Sequence, residues 1–165
     1  MDNKTQIQLN PGEVLLTEPE IVNRVVDYLL NKEHGQWHPE KVDKANLHEH
    51  GVDIKMVGGK RNSEYFYIEC KGKSYAKKDT SRRANNRECW LGALGQLITR
   101  IDVKPGTYRY GMGLYWESAQ VALRRIPKAI AEKLRFYIYS VYDDGTVKEF
   151  TPSKFGIEYP DEVFK

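Results

Sequence analysis

The chain has 165 residues, of which 40% are hydrophobic and 30% charged, and its formal net charge is +3 at pH 7. A chain of this length buries about 70% of its unfolded surface, so its two cysteines need not form a disulfide framework. The longest apolar stretch is interrupted by Asn23, Arg24 and Asp27, which excludes a membrane span, and with no secretory leader pattern we expect a single cytoplasmic domain over 1–165.

The first half of the chain predicts one helix followed by two or three strands. Residues 17–20 have the form of a capping box, and Leu16 is placed to pack against Ile21, which predicts a helix over about 18–33. Strands are predicted at 46–57 and 64–72, separated by a glycine-rich turn. An earlier strand is a further candidate, at 37–44.

The second half predicts alternating helices and strands. A polar, basic segment at 74–86 leads into a helix whose apolar residues recur at helical spacing as far as Ile101. A strand at 107–116 follows, then a helical stretch at 118–134 that Pro127 must kink or split. The remaining elements are a strand at 135–142, a turn at 143–145, a strand at 146–150 and a loop-like tail. This order predicts a mixed α/β sandwich around a central sheet.

Positive charge is concentrated in two stretches. Between residues 71 and 104, nine Lys or Arg stand against three Asp or Glu, and between 124 and 135 five stand against one. Such clusters suit a polyanionic partner, although a solvated basic face is the alternative interpretation.

Two carboxylates and a lysine are predicted to meet on one face of the sheet. In strand 64–72, alternation places Glu69 and Lys71 on the face opposite Phe66 and Ile68. In the preceding strand Asp53 also projects away from the apolar side, so a hairpin would bring it beside Glu69. The pattern acid-x-Lys occurs four times in the chain, but only at Glu69 is it preceded by such a strand. The alternative is a solvated sheet face on which Glu69 and Lys71 form a surface ion pair.

These residues suit phosphodiester hydrolysis. Asp53, Glu69 and the backbone carbonyl of Cys70 offer the hard oxygen ligands that Mg²⁺ prefers, and we expect Mn²⁺ to substitute. Lys71 would orient or deprotonate the attacking water, or balance charge on the phosphate.

The segments Gly51-Val52-Asp53 and Ile68-Glu69-Cys70-Lys71, between two predicted helices, resemble the PD-(D/E)xK nuclease superfamily. The resemblance covers about 15–142, leaving 143–165 as a C-terminal hairpin and tail, and Val52 stands where the motif has proline. It implies a restriction-endonuclease-like core, in which a central mixed sheet flanked by helices follows the order α-β-β-β-α-β. It also implies Mg²⁺-dependent cleavage of DNA, as in restriction enzymes, Holliday-junction resolvases and recombination exonucleases.

The resemblance suggests further site residues. Members often add an acidic residue from the first helix, and Glu18, which shares a face with Val22, Val25 and Leu29, is preferred to Glu20 on the opposite face as a catalytic residue and metal ligand. Gln96 resembles a catalytic glutamine on the helix after the motif strand. The cations predicted to contact DNA follow the motif strand: Lys73, Lys77, Lys78, Arg82, Arg83 and Arg87.

Other interpretations of the sequence remain open. His48 and His50 suggest zinc, but further ligands are missing. Tyr65 and Tyr67 share the face of Glu69 and are placed to touch a base or sugar. The main alternative to a DNA endonuclease is a non-catalytic DNA-binding module of the same fold, and a third is an interaction protein with a solvated sheet face. Cutting both strands of a duplex together would need a homodimer.

Overall fold

The computed structural model of the protein describes residues 7, 9–32, 37–42, 52–59, 63–76, 78–101 and 107–159. The strands in these ranges are β1 (Trp37–Val42), β2 (Ile54–Gly58), β3 (Glu64–Lys71), β4 (Tyr108–Tyr115), β5 (Phe136–Val141) and β6 (Val147–Phe150). The helices are α1 (Glu18–Lys32), α2 (Asp79–Ile98), α3 (Trp116–Arg125) and α4 (Lys128–Leu134), followed by a 3₁₀ turn at Pro152–Lys154. The predicted α/β class, with a central mixed sheet flanked by helices, is confirmed.

The order of strands in the sheet follows their order in the chain. β3, β4 and β5 run parallel, whereas β1, β2 and β6 pair antiparallel with their neighbours. Both parallel connections step in the same direction across the sheet, and such crossovers are almost always right-handed. Their helices, α2 and the pair α3 and α4, therefore cover the same face.

The opposite face of the sheet is covered by α1. Apolar residues recur along α1 at helical spacing, and Ile21, Val25 and Leu29 are fully or almost fully buried. They pack on the inward-facing residues of β2 and β3, including Ile54 and Ile68. Burial of a residue of this size is worth about 1.5–3 kcal/mol, so packing on the sheet fixes the position of α1.

Several elements differ in detail from the prediction. α2 begins at Asp79, so most of the basic segment 74–86 forms the first turns of the helix instead of leading into it, and the helix ends at Ile98. The sequence predicted that Pro127 would either kink or split the helical stretch, and the structure shows that it splits the stretch into α3 and α4. The tail is only partly loop-like, because it forms the 3₁₀ turn and inserts the fully buried Phe155 against Phe136. The predicted strand residues 43–44 and 46–51 lie outside the described ranges.

None of the described helices is both long and apolar enough to cross a membrane. Cys70 and Cys89 are free thiols.

The start of α1 lies directly against the end of β3, at Gly72. A Cβ atom at Gly72 would stand 2.5 Å from the backbone nitrogen of Glu18 and 2.7 Å from the carbonyl carbon of Thr17. The next residue, Lys73, donates its backbone N–H to the carbonyl of Leu16 at 2.8 Å. Only glycine permits this approach, which holds the first turn of α1 beside the last residues of β3.

We predict that Gly72→Ala destabilises the protein by about 1–3 kcal/mol, because backbone atoms must move to accept the methyl group. Gly95→Ala is the matched control, since nothing lies within 4 Å of the position of its Cβ and alanine is the better helix former by about 0.5–1 kcal/mol. Urea unfolding of the two variants measures both effects. Equal stability of the two variants would contradict the close approach at Gly72.

Candidate active site

Asp53 and Glu69 lie side by side because β2 and β3 pair in a single antiparallel register. Ile54 of β2 lies opposite Ile68 of β3. Asp53, which precedes Ile54, therefore lies beside Glu69, which follows Ile68, at the end of the pairing. Oδ2 of Asp53 accepts the backbone N–H of Cys70 at 2.6 Å. This bond fixes the Asp53 carboxylate at the edge of β3, and the predicted meeting of the two carboxylates is observed.

Glu69 is a buried carboxyl group, with only 1% of its surface exposed. Burial, reinforced by the neighbouring Asp53 carboxylate, raises the pKa of Glu69 to about 8, although the Arg100 guanidinium opposes the shift. Oε1 of Glu69 lies 2.8 Å from Nη1 of Arg100, but among the described residues it has no partner with hydrogen-bond geometry. A buried polar oxygen of this kind is costly unless another group satisfies it.

Lys71 extends from the same face of β3 and meets α1. Its Nζ lies 3.2 Å from Oε1 of Glu18, and both side chains are partly exposed. Burial raises the pKa of Glu18, while Lys71 partly offsets that shift. Gly92 of α2 faces the lysine, and a Cβ at Gly92 would lie 3.9 Å from Lys71 Cε.

The structure separates the two acidic candidates of α1. Glu18 joins the cluster, whereas Glu20 pairs with Arg24 one turn further along the helix, at 2.8 Å. Glu18 is therefore the acidic residue of α1 that contacts the other predicted site residues. The cluster of Asp53, Glu69, Lys71 and Glu18 is called the carboxylate cluster below.

Gln96 is exposed and its side chain makes no hydrogen bond to a described residue. Its backbone carbonyl accepts a hydrogen bond from Nη1 of Arg100 at 2.8 Å. Sequence reasoning missed Arg100 itself, which ion-pairs with Glu69. The sequence contained one signal for it. Arg100 follows Gly92 and Gln96 by eight and four residues, a spacing that places all three on one side of the predicted helix.

Lys73, one of the predicted DNA contacts, makes contacts with other residues of the protein. Its ammonium group pairs with Asp143 in the turn between β5 and β6 and lies 4.8 Å from the centre of the Tyr115 ring. Tyr115 and Trp116 donate to the other oxygen of Asp143, at 3.1 and 3.3 Å. This network links the carboxyl ends of β3, β4 and β5.

The other predicted DNA contacts lie at the start of α2, except that Lys77 lies outside the described residues. Lys78 immediately precedes the helix and is exposed. Arg82 and Arg83 both pair with Asp79, and Arg87 is exposed one turn later. Arg82 lines a cavity of about 360 Å³ together with Lys73 and Asp143, and Arg87 lines a second cavity beside α3. Arg83 lines both cavities.

Tyr65 and Tyr67 continue the face of Glu69 toward the start of β3. Tyr65 stacks on Tyr108 with ring centres 5.3 Å apart, and the ammonium of Lys55 lies over both rings of β3, at 5.3 and 5.7 Å. Lys55 also pairs with Glu40 of β1 at 2.8 Å. The rings are partly buried and pack against one another. His48 and His50, the candidate zinc ligands, lie outside the described residues.

A divalent cation fits the donor set in part. Within the described ranges, no three His, Cys, Asp or Glu side chains are grouped so as to hold a metal ion. Magnesium, however, is commonly bound by only one or two carboxylates, with waters and substrate phosphate completing its shell. Asp53 and the incompletely satisfied oxygen of Glu69 are compatible with that mode of binding.

Comparisons of the chain with models of protein families, with curated proteins and with solved structures find no match.

We predict that ionisation of Glu69 opposes folding. The folded protein retains a proton on Glu69 up to about pH 8, whereas an unfolded chain releases it near the ordinary pKa of 4.5. The free energy of unfolding of the metal-free protein should therefore fall as the pH rises through this window. The side chain of the Glu69→Gln variant cannot ionise, so its free energy of unfolding should fall less over the same pH range.

Urea unfolding in EDTA at several pH values measures this difference, with Glu20→Gln as the matched control because Glu20 lies outside the carboxylate cluster. Parallel stability curves for the wild type and Glu69→Gln would show that the Glu69 carboxyl group does not retain its proton in the folded state.

Proposed function

We propose that the protein is a metal-dependent deoxyribonuclease that hydrolyses phosphodiester bonds at the carboxylate cluster. The observation that carries the proposal is the buried Glu69 carboxyl group, set beside Asp53 and on the same face of β3 as Lys71. A buried carboxyl group beside a second carboxylate lowers the stability of the folded protein once it ionises. Structural reasons alone do not favour this arrangement, whereas binding a hard cation would stabilise the ionised pair.

The residues that would hold the cation are Asp53 and Glu69, with the backbone carbonyl of Cys70 as a further oxygen donor. When bound, Mg²⁺ supplies an activated water and neutralises charge on the phosphate. Because the pKa of Glu69 is raised by burial and by Asp53, cation binding near neutral pH must release the proton from Glu69. The affinity for the cation should accordingly increase with pH.

Lys71 is the group placed to act on the attacking water or on the phosphate. Its partner Glu18 holds the ammonium at 3.2 Å, and the close approach at Gly72 holds Glu18. An ammonium near the scissile phosphate stabilises the charge that develops during hydrolysis. Glu18 is thus a positioning residue for Lys71 in this proposal.

The order of elements supports the finer assignment of a restriction-endonuclease-like core. α1, β1, β2, β3, α2 and β4 follow one another as α-β-β-β-α-β, with Asp53 immediately before β2 and both Glu69 and Lys71 in β3. Cleavage of DNA, as opposed to another phosphodiester, follows from the resemblance in sequence and from the exposed cations at the start of α2.

A cleavage assay with supercoiled, linear, single-stranded and four-way-junction DNA tests the proposal, with Mg²⁺, Mn²⁺ or EDTA. Lys71→Ala and Asp53→Asn should each lower the rate by at least about 10²-fold. Asparagine can still accept the hydrogen bond from Cys70 N–H, so Asp53→Asn separates cation binding from the structural role of Asp53. Lys133→Ala, a change to an exposed lysine of α4, is the control and should cleave at the wild-type rate.

Glu18→Gln and Glu20→Gln form a second matched pair for the same assay. Glu18→Gln should slow cleavage because Lys71 loses its ionic partner, whereas Glu20→Gln should leave the rate unchanged. Wild-type rates for folded Lys71→Ala and Asp53→Asn would refute the assignment of the site.

One observation favours the non-catalytic DNA-binding module as a second candidate. Arg100 supplies positive charge to Glu69, and Lys71 supplies it to Glu18, so the protein partly balances its carboxylates without a cation. This candidate predicts salt-sensitive DNA binding that Mg²⁺ and Mn²⁺ do not change, and no cleavage products. Calorimetric detection of Mg²⁺ binding that is lost in Asp53→Asn would exclude it.

A further inference from the structure

A second basic feature lies between α2 and α3, away from the carboxylate cluster. The groove has a volume of about 470 Å³, and its lining includes Arg83 and Arg87 of α2 and Arg124 and Arg125 of α3. Glu88 is the acidic side chain among the lining residues. Two stretches of the sequence, separated by more than thirty residues, thus contribute four guanidinium groups to one surface, called the arginine groove below.

Three of these four guanidinium groups form no ion pair with a described residue. Arg87, Arg124 and Arg125 are exposed, and none of their side chains has a hydrogen bond or ion pair with a described residue. Arg83 alone is paired, with Asp79 at 3.0 Å. Like charges held together destabilise a protein slightly, so an anionic ligand would stabilise this arrangement.

The arginine groove and the carboxylate cluster lie on different sides of α2. At about 100° per residue, Gly92 is about 180° around the helix from Arg83, and Gln96 is about 180° from Arg87. Gly92 faces Lys71, whereas Arg83 and Arg87 face α3. The groove is therefore separate from the candidate active site.

The spacing of the cations suits an extended chain of phosphates. Arg83 and Arg87 are separated by about 6 Å along α2, and the arginines of α3 form the opposite wall of the groove. Planar guanidinium groups bind phosphate oxygens in a bidentate manner. Four such groups on two helices offer separate contacts to successive phosphates, which a single small anion would not use.

We infer that the arginine groove binds the sugar-phosphate backbone of DNA, as a contact distinct from the site of hydrolysis. The identification of the polyanion as DNA rests on the proposed function. In this arrangement the nucleic acid passes the first turns of α2, where Lys78 and Arg82 are exposed, and continues onto α3. The groove adds affinity without reading bases, since phosphate contacts carry no sequence information directly.

The test is fluorescence anisotropy with a short labelled DNA duplex in EDTA, so that binding is measured without cleavage. Each phosphate contact contributes about 0.9 to the slope of log affinity against log salt concentration. Between about 50 and 200 mM KCl, Arg124→Ala/Arg125→Ala should reduce the magnitude of that slope by about 1.8. The dissociation constant at about 100 mM KCl should rise by at least tenfold.

The matched control is Lys133→Ala/Lys154→Ala, which also removes two exposed positive charges but does not change the lining of the groove. Its slope should stay close to that of the wild type. Arg124→Lys/Arg125→Lys keeps the charge and should restore most of the slope. Thermal unfolding followed by circular dichroism verifies that all three double variants are folded.

Equal losses of slope in the alanine variant and its control would overturn the inference, because net charge alone would then explain the effect. Binding of inorganic tripolyphosphate at the groove, without binding of the duplex, would also overturn it by assigning the groove to a free polyphosphate. A protein that binds DNA through the groove yet cleaves nothing would refute the proposed nuclease and leave this inference standing.

Discussion

The pairing of β2 with β3 in one register decides where the polar side chains of the candidate site lie. Ile54 opposite Ile68 puts Asp53 beside Glu69, and the alternation of β3 then puts Lys71 on the same face. Because side chains alternate along a strand, a shift of one residue would turn Glu69 and Lys71 toward α1 and bring Cys70 to the polar face. The apolar residues that α1 covers oppose such a shift, so packing on one face of the sheet maintains the chemistry of the other.

The carboxylate cluster shows how the protein offsets the cost of burying acidic groups. Arg100 approaches Glu69 from the end of α2, and Lys71 meets Glu18 at the start of α1. Each cation comes from a different element, so the cluster also links the two layers of helices across the sheet. This partial neutralisation leaves one oxygen of Glu69 without a hydrogen bond of good geometry. A site that satisfied every oxygen would be more stable but would have no capacity to bind a ligand there.

The local parts of this arrangement were predictable from the sequence. Strand alternation placed Asp53, Glu69 and Lys71 together, and helical periodicity separated Glu18 from Glu20. Contacts between distant segments were not predictable, because nothing in a local pattern shows which elements become neighbours. Lys73 pairs with Asp143 only because β5 packs into the same sheet. Arg87 and Arg124 line one groove only because α3 packs beside α2. The start of α2 was missed because its first turns are polar on nearly all sides and carry no apolar periodicity.

The strand order of the sheet has a consequence for the way the chain assembles during synthesis. Each strand of the described sheet after β1 pairs with the one made immediately before it, so the sheet can grow outward at one edge as the polypeptide leaves the ribosome. Glu18, Asp53, Glu69, Lys71 and Arg100 all precede β4 in the chain. The carboxylate cluster therefore lies wholly within the part of this sequence that is made before β4, while β5, β6 and the helices between β4 and β5 add later to the exposed edge. A nascent chain thus contains the whole cluster before the second wall of the arginine groove is translated.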